Sequence, residues 1–187
     1  RRIAVAYQEN QVAIYDALMK EFEHDLSEWD AEVDQETLTF TFRSPDVLFP
    51  VGEITITEKY QNILSDFFPR YMAVLDAYKN SVEEVRIEGH TSSEWNNSDQ
   101  SDYAYFRNMA LSQGRTRSVL EYVYHLPQVQ GLHHAWIKEH VAAVGFSSSK
   151  RIIDERTGVE DREESRRVSF RVLTNAEIQI RKILEDV

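Results

Sequence analysis

The sequence predicts an α+β domain, a two-layer α/β sandwich in which helices cover one face of a mixed four-stranded sheet, with a further helix at the N-terminus. Three features of the pattern lead there. Segments 37–42, 82–90 and 167–173 alternate apolar and polar residues, as half-buried strands do, and 141–146 adds a short apolar run. Long stretches with apolar residues at helical spacing, 57–79 and 103–125, lie between the strands. Strands that are apolar on one side need one helical layer to cover them, which gives the order βαβαβ-β.

Residues 3–29 place Val5, Val12, Leu18, Phe22 and Leu26 at helical spacing, with an acidic end at Glu21, Glu23, Asp25, Glu28 and Asp30. This sparse stripe predicts a peripheral amphipathic helix, so 1–35 reads as a helical connector and 36–187 as the domain. In 37–42, Leu38, Phe40 and Phe42 share one face. A turn at Ser44-Pro45-Asp46 leads into Leu48-Phe49-Pro50-Val51-Gly52. Thr57 is an N-cap by residue type, and the helix behind it carries Tyr60, Ile63, Leu64, Phe67, Phe68, Met72 and Leu75. That helix must adjust around Pro69. Val85 and Ile87 face inward from the next strand, with Arg86 and Glu88 outward. After a polar loop at 92–102 and the long helix, a short helix at 133–139 precedes the strand at 141–146. A polar loop fills 147–165. The last strand turns Val168, Phe170 and Val172 inward and Arg167, Ser169 and Arg171 outward, and a helix over 175–185 closes the chain.

A chain of 187 residues suits one domain with an extension and can bury a core without staples. It has no cysteine, so disulfides and thiolate metal sites are excluded. The net charge of −11, from 32 acidic and 21 basic residues, repels phosphate backbones, so no nucleic-acid partner is expected. The basic zone at 150–171 is the one local exception. No apolar run approaches the roughly 20 residues that span a bilayer. The chain opens at Arg1-Arg2 directly into a helical pattern, and a membrane helix is expected upstream of it.

The stretch from Glu88-Gly89-His90-Thr91 through the helix at Asn108–Thr116 holds the candidate site. At 100° per residue, Asn108, Leu111, Ser112 and Arg115 fall within about a third of the helix circumference. Met109, Thr116, Leu120 and Val123 form an adjacent arc facing the core. An arginine fixed among amide and hydroxyl groups suits bidentate capture of a carboxylate. On spacing alone, a solvated surface Arg115 and a local cap at Asn108 explain the pattern equally well.

Several motifs occur together in a fixed order. Gly89-His90-Thr91 ends a strand, and Asn108-x-x-Leu111-Ser112-x-x-Arg115 lies on the next helix. Val144-Gly145-Phe146-Ser147 follows, and then Arg166-Arg167-Val168-Ser169-Phe170. This order and spacing resemble the OmpA-like family, of the OmpA/MotB C-terminal type. Leu48-Phe49-x-x-Gly52 and Thr57 match the family's start, and the likeness covers about residues 36–173.

The resemblance implies a periplasmic domain that binds the peptide stem of peptidoglycan, usually through diaminopimelate, without catalysis or cofactor. In the family an Asp after Gly-His-Thr holds the ammonium group and the helix arginine holds the carboxylate. Carried over, Arg115 is the carboxylate clamp, and Asn108 and Leu111 line the groove. Ser112, Thr91 and the rest of the 90–94 loop supply hydrogen bonds. Ser92 stands where that Asp is expected. Glu94, Asp99 or Asp102 in the loop can supply the negative charge instead, Glu94 first among them, or the groove takes a different stem group. Arg166 lies near the groove in the family and would attract an acidic stem, unless it pairs with Asp161 or Glu163.

The loop from Ser92-Ser93-Glu94-Trp95 to Tyr103-Ala104-Tyr105-Phe106 exceeds the family's usual connection. It resembles that of stator-like proteins outside the flagellum, including the wall-binding subunit of Zorya-type phage-defence motors. A flagellar MotB-like stator and a general OmpA-like anchor are the alternatives. Trp95 reads as a plug fastening the loop to the body. The resemblance implies a homodimer, with 3–29 available to pack in it, and a membrane-embedded stator partner.

Other constellations are weaker. His134 and His140 are not spaced i,i+4, and no Glu lies between paired histidines in metalloprotease spacing, so no metal is expected. Ser147-Ser148-Ser149 lacks a nucleophile-elbow pattern. A wall hydrolase and a purely structural dimerisation module with an unused groove remain the readings from other classes.

Overall fold

Residues 1–43, 45–96, 102–131 and 133–187 are described by the computed structural model. Its sheet has five strands: β1 (Ala31–Asp34), β2 (Thr39–Phe42), β3 (Val82–His90), β4 (Val141–Gly145) and β5 (Arg167–Thr174). They lie in the order β1-β2-β5-β3-β4. Only β3 and β4 run parallel, so the sheet is mixed as expected. The fifth strand, β1, is an addition to the predicted four. Ala31-Glu32-Val33-Asp34 is half-charged and half-exposed, which suits an edge strand and hides it from an alternation search. Asp34 turns the chain by accepting hydrogen bonds from the Thr37 amide (2.9 Å) and hydroxyl (3.1 Å). The boundary expected at 35 therefore falls within a β1–β2 hairpin.

The helices are α1 (Arg2–Phe22), α3 (Glu58–Asp76), α4 (Asp102–Tyr124), α5 (His134–His140) and α7 (Asn175–Glu185), with single turns α2 (Pro45–Leu48) and α6 (Arg162–Ser165). The first of these is not peripheral. Ile14, Leu18 and Phe22, spaced four apart, are fully buried. Phe22 meets Phe40 and Phe67 with ring centroids 5.3 Å away in each case. Its acidic end is also engaged: Arg70 of α3 binds Glu21 at 2.8 Å, Asp25 at 2.7 Å and Asp66 at 3.1 Å. The α3 helix runs continuously through Pro69, and its N-cap is Thr57, whose side chain accepts from the Tyr60 amide.

Phe40, Phe42, Phe67, Tyr71 and Phe170 meet in the centre of the core. What positions the site is the approach of α4 to β3 and β4. Gly89 and Gly145 are register partners. A Cβ on Gly89 would stand 2.7 Å from the Ser112 carbonyl oxygen, and one on Gly145 would stand 2.5 Å from the Gln113 amide nitrogen. The two glycines let the helix lie directly on the strands.

Candidate functional site

At the end of β3, a cavity of about 410 Å³ opens between the 91–96 loop, α4, and the 46–52 segment. Thr91, Ser92, Glu94, Asn108, Leu111, Arg115 and Arg166 all line it. Ser112, also expected there, does not. It is buried, donating to the Met109 carbonyl (3.0 Å) and accepting from the Ser147 amide (3.1 Å). The close seat of α4 turns Ser112 toward β4, where it ties strand to helix.

Arg115 reaches across from α4 to the 49–53 turn. Its Nε donates to the Glu53 carbonyl at 2.9 Å and Nη2 to the Pro50 carbonyl at 3.2 Å, and the guanidinium lies 4.7 Å from the Phe49 ring centroid. These contacts fix its plane and neutralise nothing. Among the described residues no carboxylate forms an ion pair with it. Burial lowers its pKa to about 10, Asp46 opposing that shift and Arg166 adding to it. A desolvated cation held this way favours an incoming anion.

The other groups sort by what already occupies them. Asn108 donates from Nδ2 to the Ser92 carbonyl (3.2 Å) and the Glu94 carbonyl (3.0 Å), so it clamps the loop as well as lining the cavity. The Glu94 carboxylate is paired with Arg162 at 2.8 Å. Ser93 fastens the same loop to Glu160 through its amide (2.9 Å) and hydroxyl (2.6 Å). Thr91 Oγ1 is buried, with no hydrogen-bond partner among the described residues. Arg166 approaches Asp46 at 3.6 Å, and not the Asp161 or Glu163 that sequence proximity suggested. Asp102 opens α4 outside the cavity lining, and Asp99 lies outside the described residues.

Asp46 is the residue that sequence reasoning missed. It lies in a turn far from the motif in sequence, yet it lines the cavity with Arg115 and Arg166. Its carboxylate is largely exposed, with its one described ion pair the long contact to Arg166. Trp95, read as a plug, also lines the cavity and carries Arg107 against its ring at 5.0 Å. Together with Val51 and Leu111 it makes an apolar wall. The result is a cleft with two cations, two carboxylates and an apolar side, a pattern suited to a small ligand that carries both charges. Among the described residues no group of three His, Asp or Glu side chains could hold a metal ion.

The family model for the OmpA family matches residues 48–166, which takes in the helix with Arg115 and every groove-lining residue but Asp46, and ends just before the last strand. The chain belongs to the OmpA family. Within it, the chain is 54% identical over 186 residues to the Zorya protein ZorB of Escherichia coli, covering all of this chain and 78% of that protein. This OmpA domain also shares its fold with a MotB-like protein from Desulfovibrio vulgaris, at TM-score 0.59 and 20% identity, covering 88% of this chain and 91% of that one. A cell wall anchor of the T6SS from Pseudomonas aeruginosa gives TM-score 0.56 at 20% identity, over 84% and 97% of the two chains. No helix among the described residues is long and apolar enough to cross a membrane.

Proposed function

We propose that this OmpA domain binds peptidoglycan in the periplasm without catalysis, capturing a diaminopimelate-type stem peptide, and so anchors a membrane-embedded motor to the cell wall. The observation that carries the reading is Arg115: a half-buried, oriented guanidinium with no carboxylate ion pair among the described residues, facing a cleft that also holds Asp46. A stem carboxylate takes Arg115, with Thr91 Oγ1 beside it. The stem ammonium takes Asp46, which fills the role left open by Ser92, while Glu94 is engaged by Arg162. Membership of the OmpA family and the likeness to ZorB support an anchoring role in a Zorya-type phage-defence motor, working as a homodimer with a stator partner.

One observation favours a second reading, a structural module with an unused groove: both of Arg115's described hydrogen bonds go to its own chain. Co-sedimentation with purified sacculi separates the two. The parent protein is expected to bind diaminopimelate-containing sacculi, and Arg115→Ala to bind about 10- to 100-fold more weakly, the loss of one or two charge-assisted hydrogen bonds. Asp46→Asn should weaken binding while leaving the fold intact. No binding by the parent favours the structural module, and undiminished binding by Arg115→Ala sinks the clamp.

A further inference from the structure

The sheet face turned away from α3 and α4, with α7 at its margin, bears a second cavity, of about 510 Å³. Hydroxyls form its floor, Thr39 and Thr41 on β2 and Ser169 on β5, with Thr41 Oγ1 and Ser169 Oγ 3.0 Å apart. Five cations line it in a chain of net charge −11: Arg86 on β3, Arg167 and Arg171 on β5, Lys150 after β4, and Arg181 on α7.

Strand register sets like charges against each other here. Arg86 stands opposite Arg171. Directly opposed like charges destabilise a strand pair. The neighbouring acids offset this only in part. Glu84 takes Arg86 at 3.0 Å, but Glu177 is shared by Arg171 and Arg181, each at 3.1 Å. Arg167 donates to the Ser165 and Lys150 carbonyls at 2.8 and 3.1 Å. Among the described residues no carboxylate forms an ion pair with Arg167 or Lys150. Among the described residues Arg171 Nε and His90 Nδ1 are buried with no hydrogen-bond partner, and His90 is more than nine-tenths buried. On the far rim, Glu32 is engaged by Arg43 and Asp34 by Thr37.

We propose that this trough binds an acidic peptide segment, its carboxylates on Arg86, Arg167 and Arg171 and its backbone over the hydroxyl floor. Guanidinium forks match carboxylates bidentately. From β3 to β1 the face spans three strand spacings, roughly 14 Å, which is wide enough for an extended segment and too wide for one phosphate to bridge. Glu88 on β3, 3.4 Å from His90 Nε2, also lines the trough, and together with the acids on the β1 rim it disfavours a compact polyanion and favours an extended chain whose carboxylates are spaced over the arginines. The trough is distinct from the groove. Consecutive residues on a strand face opposite ways, so β3 sends His90 to the trough beside Thr91 of the groove, and β5 sends Arg167 there beside Arg166.

The test is an NMR titration of the ¹⁵N-labelled full chain at fixed ionic strength, with N-acetyl-tetraglutamate in one arm and inorganic pyrophosphate in the other. The peptide is expected to give saturable shifts at Arg86, Ser169 and Arg171, and Arg86→Gln to bind it about tenfold more weakly. Lys150→Gln, at an exposed loop position, should weaken it severalfold with the melting temperature unchanged, which guards against a misfolded arginine variant. Absence of saturable shifts overturns the proposal. So does pyrophosphate binding as tightly as the peptide, or peptide affinity that neither substitution lowers.

Discussion

Gly145→Ala tests the idea that the site depends on how closely α4 lies on the sheet. The added Cβ would stand 2.5 Å from the Gln113 amide nitrogen and 2.7 Å from Ser112 Oγ, against an ordinary contact of at least 3.4 Å. The first obstacle is helix backbone, which cannot rotate away as a side chain does. The helix must therefore retreat by about 0.9 Å, the difference between 3.4 and 2.5 Å. Overpacking of this kind costs about 1–3 kcal/mol. In a chain of this size each kcal/mol lowers the melting temperature by roughly 2–4 °C, so a cost near the middle gives a drop of roughly 4–8 °C. Thermal unfolding followed by circular dichroism measures it. Gly158→Ala is the comparator: its φ is +69° and nothing lies within 4 Å, so only the left-handed backbone cost of about 1–2 kcal/mol applies. Because α4 carries Asn108, Leu111 and Arg115, sacculus binding should fall along with stability in Gly145→Ala but not in Gly158→Ala. A Gly145→Ala melting temperature within about 1 °C of the parent would refute the reasoning.

Two further outcomes follow from local contacts. Thr57→Ala removes the cap on the Tyr60 amide and the hydroxyl's bond to the Val47 carbonyl, so denaturant unfolding should show a loss of about 1 kcal/mol; an unchanged midpoint would mean the cap contributes nothing. His90 has its pKa lowered from 6.5, chiefly by burial, with Glu88 opposing and Arg167 and Lys150 adding. The stability linked to a depressed histidine is present above the unfolded pKa and lost as the pH falls, because the unfolded chain takes up the proton first. The parent should therefore lose more stability than His90→Asn between about pH 7.5 and 5.5, and parallel pH profiles would count against a buried neutral imidazole.

Much of the fold is legible in the chain because the relevant forces are local and periodic. The alternation in 37–42 and 167–173 marks β2 and β5, and Thr57 marks the start of α3 by its capping chemistry. β1 is not legible, since an edge strand with two acids and half-exposed apolar residues has little alternation to display. The N-terminal helix looked peripheral because its buried stripe is narrow; what buries Ile14, Leu18 and Phe22 is the aromatic core that α3 and β2 supply.

The site divides the same way. Helical spacing puts Asn108, Leu111 and Arg115 on one arc, and the order of the motifs points to Thr91, Ser92, Glu94 and Arg166, all of which line the groove. Sequence alone determined which residue types are present and which neighbours along a helix or strand share a face. Only tertiary structure could decide that Ser112 is buried, because that depends on glycines at 89 and 145 letting α4 settle onto β3 and β4. Only tertiary structure could put Asp46 in the groove and give Glu94 to Arg162. Spacing fixes direction around a single element, whereas charge pairing in a cleft depends on distances between elements far apart in the chain, and packing sets those distances.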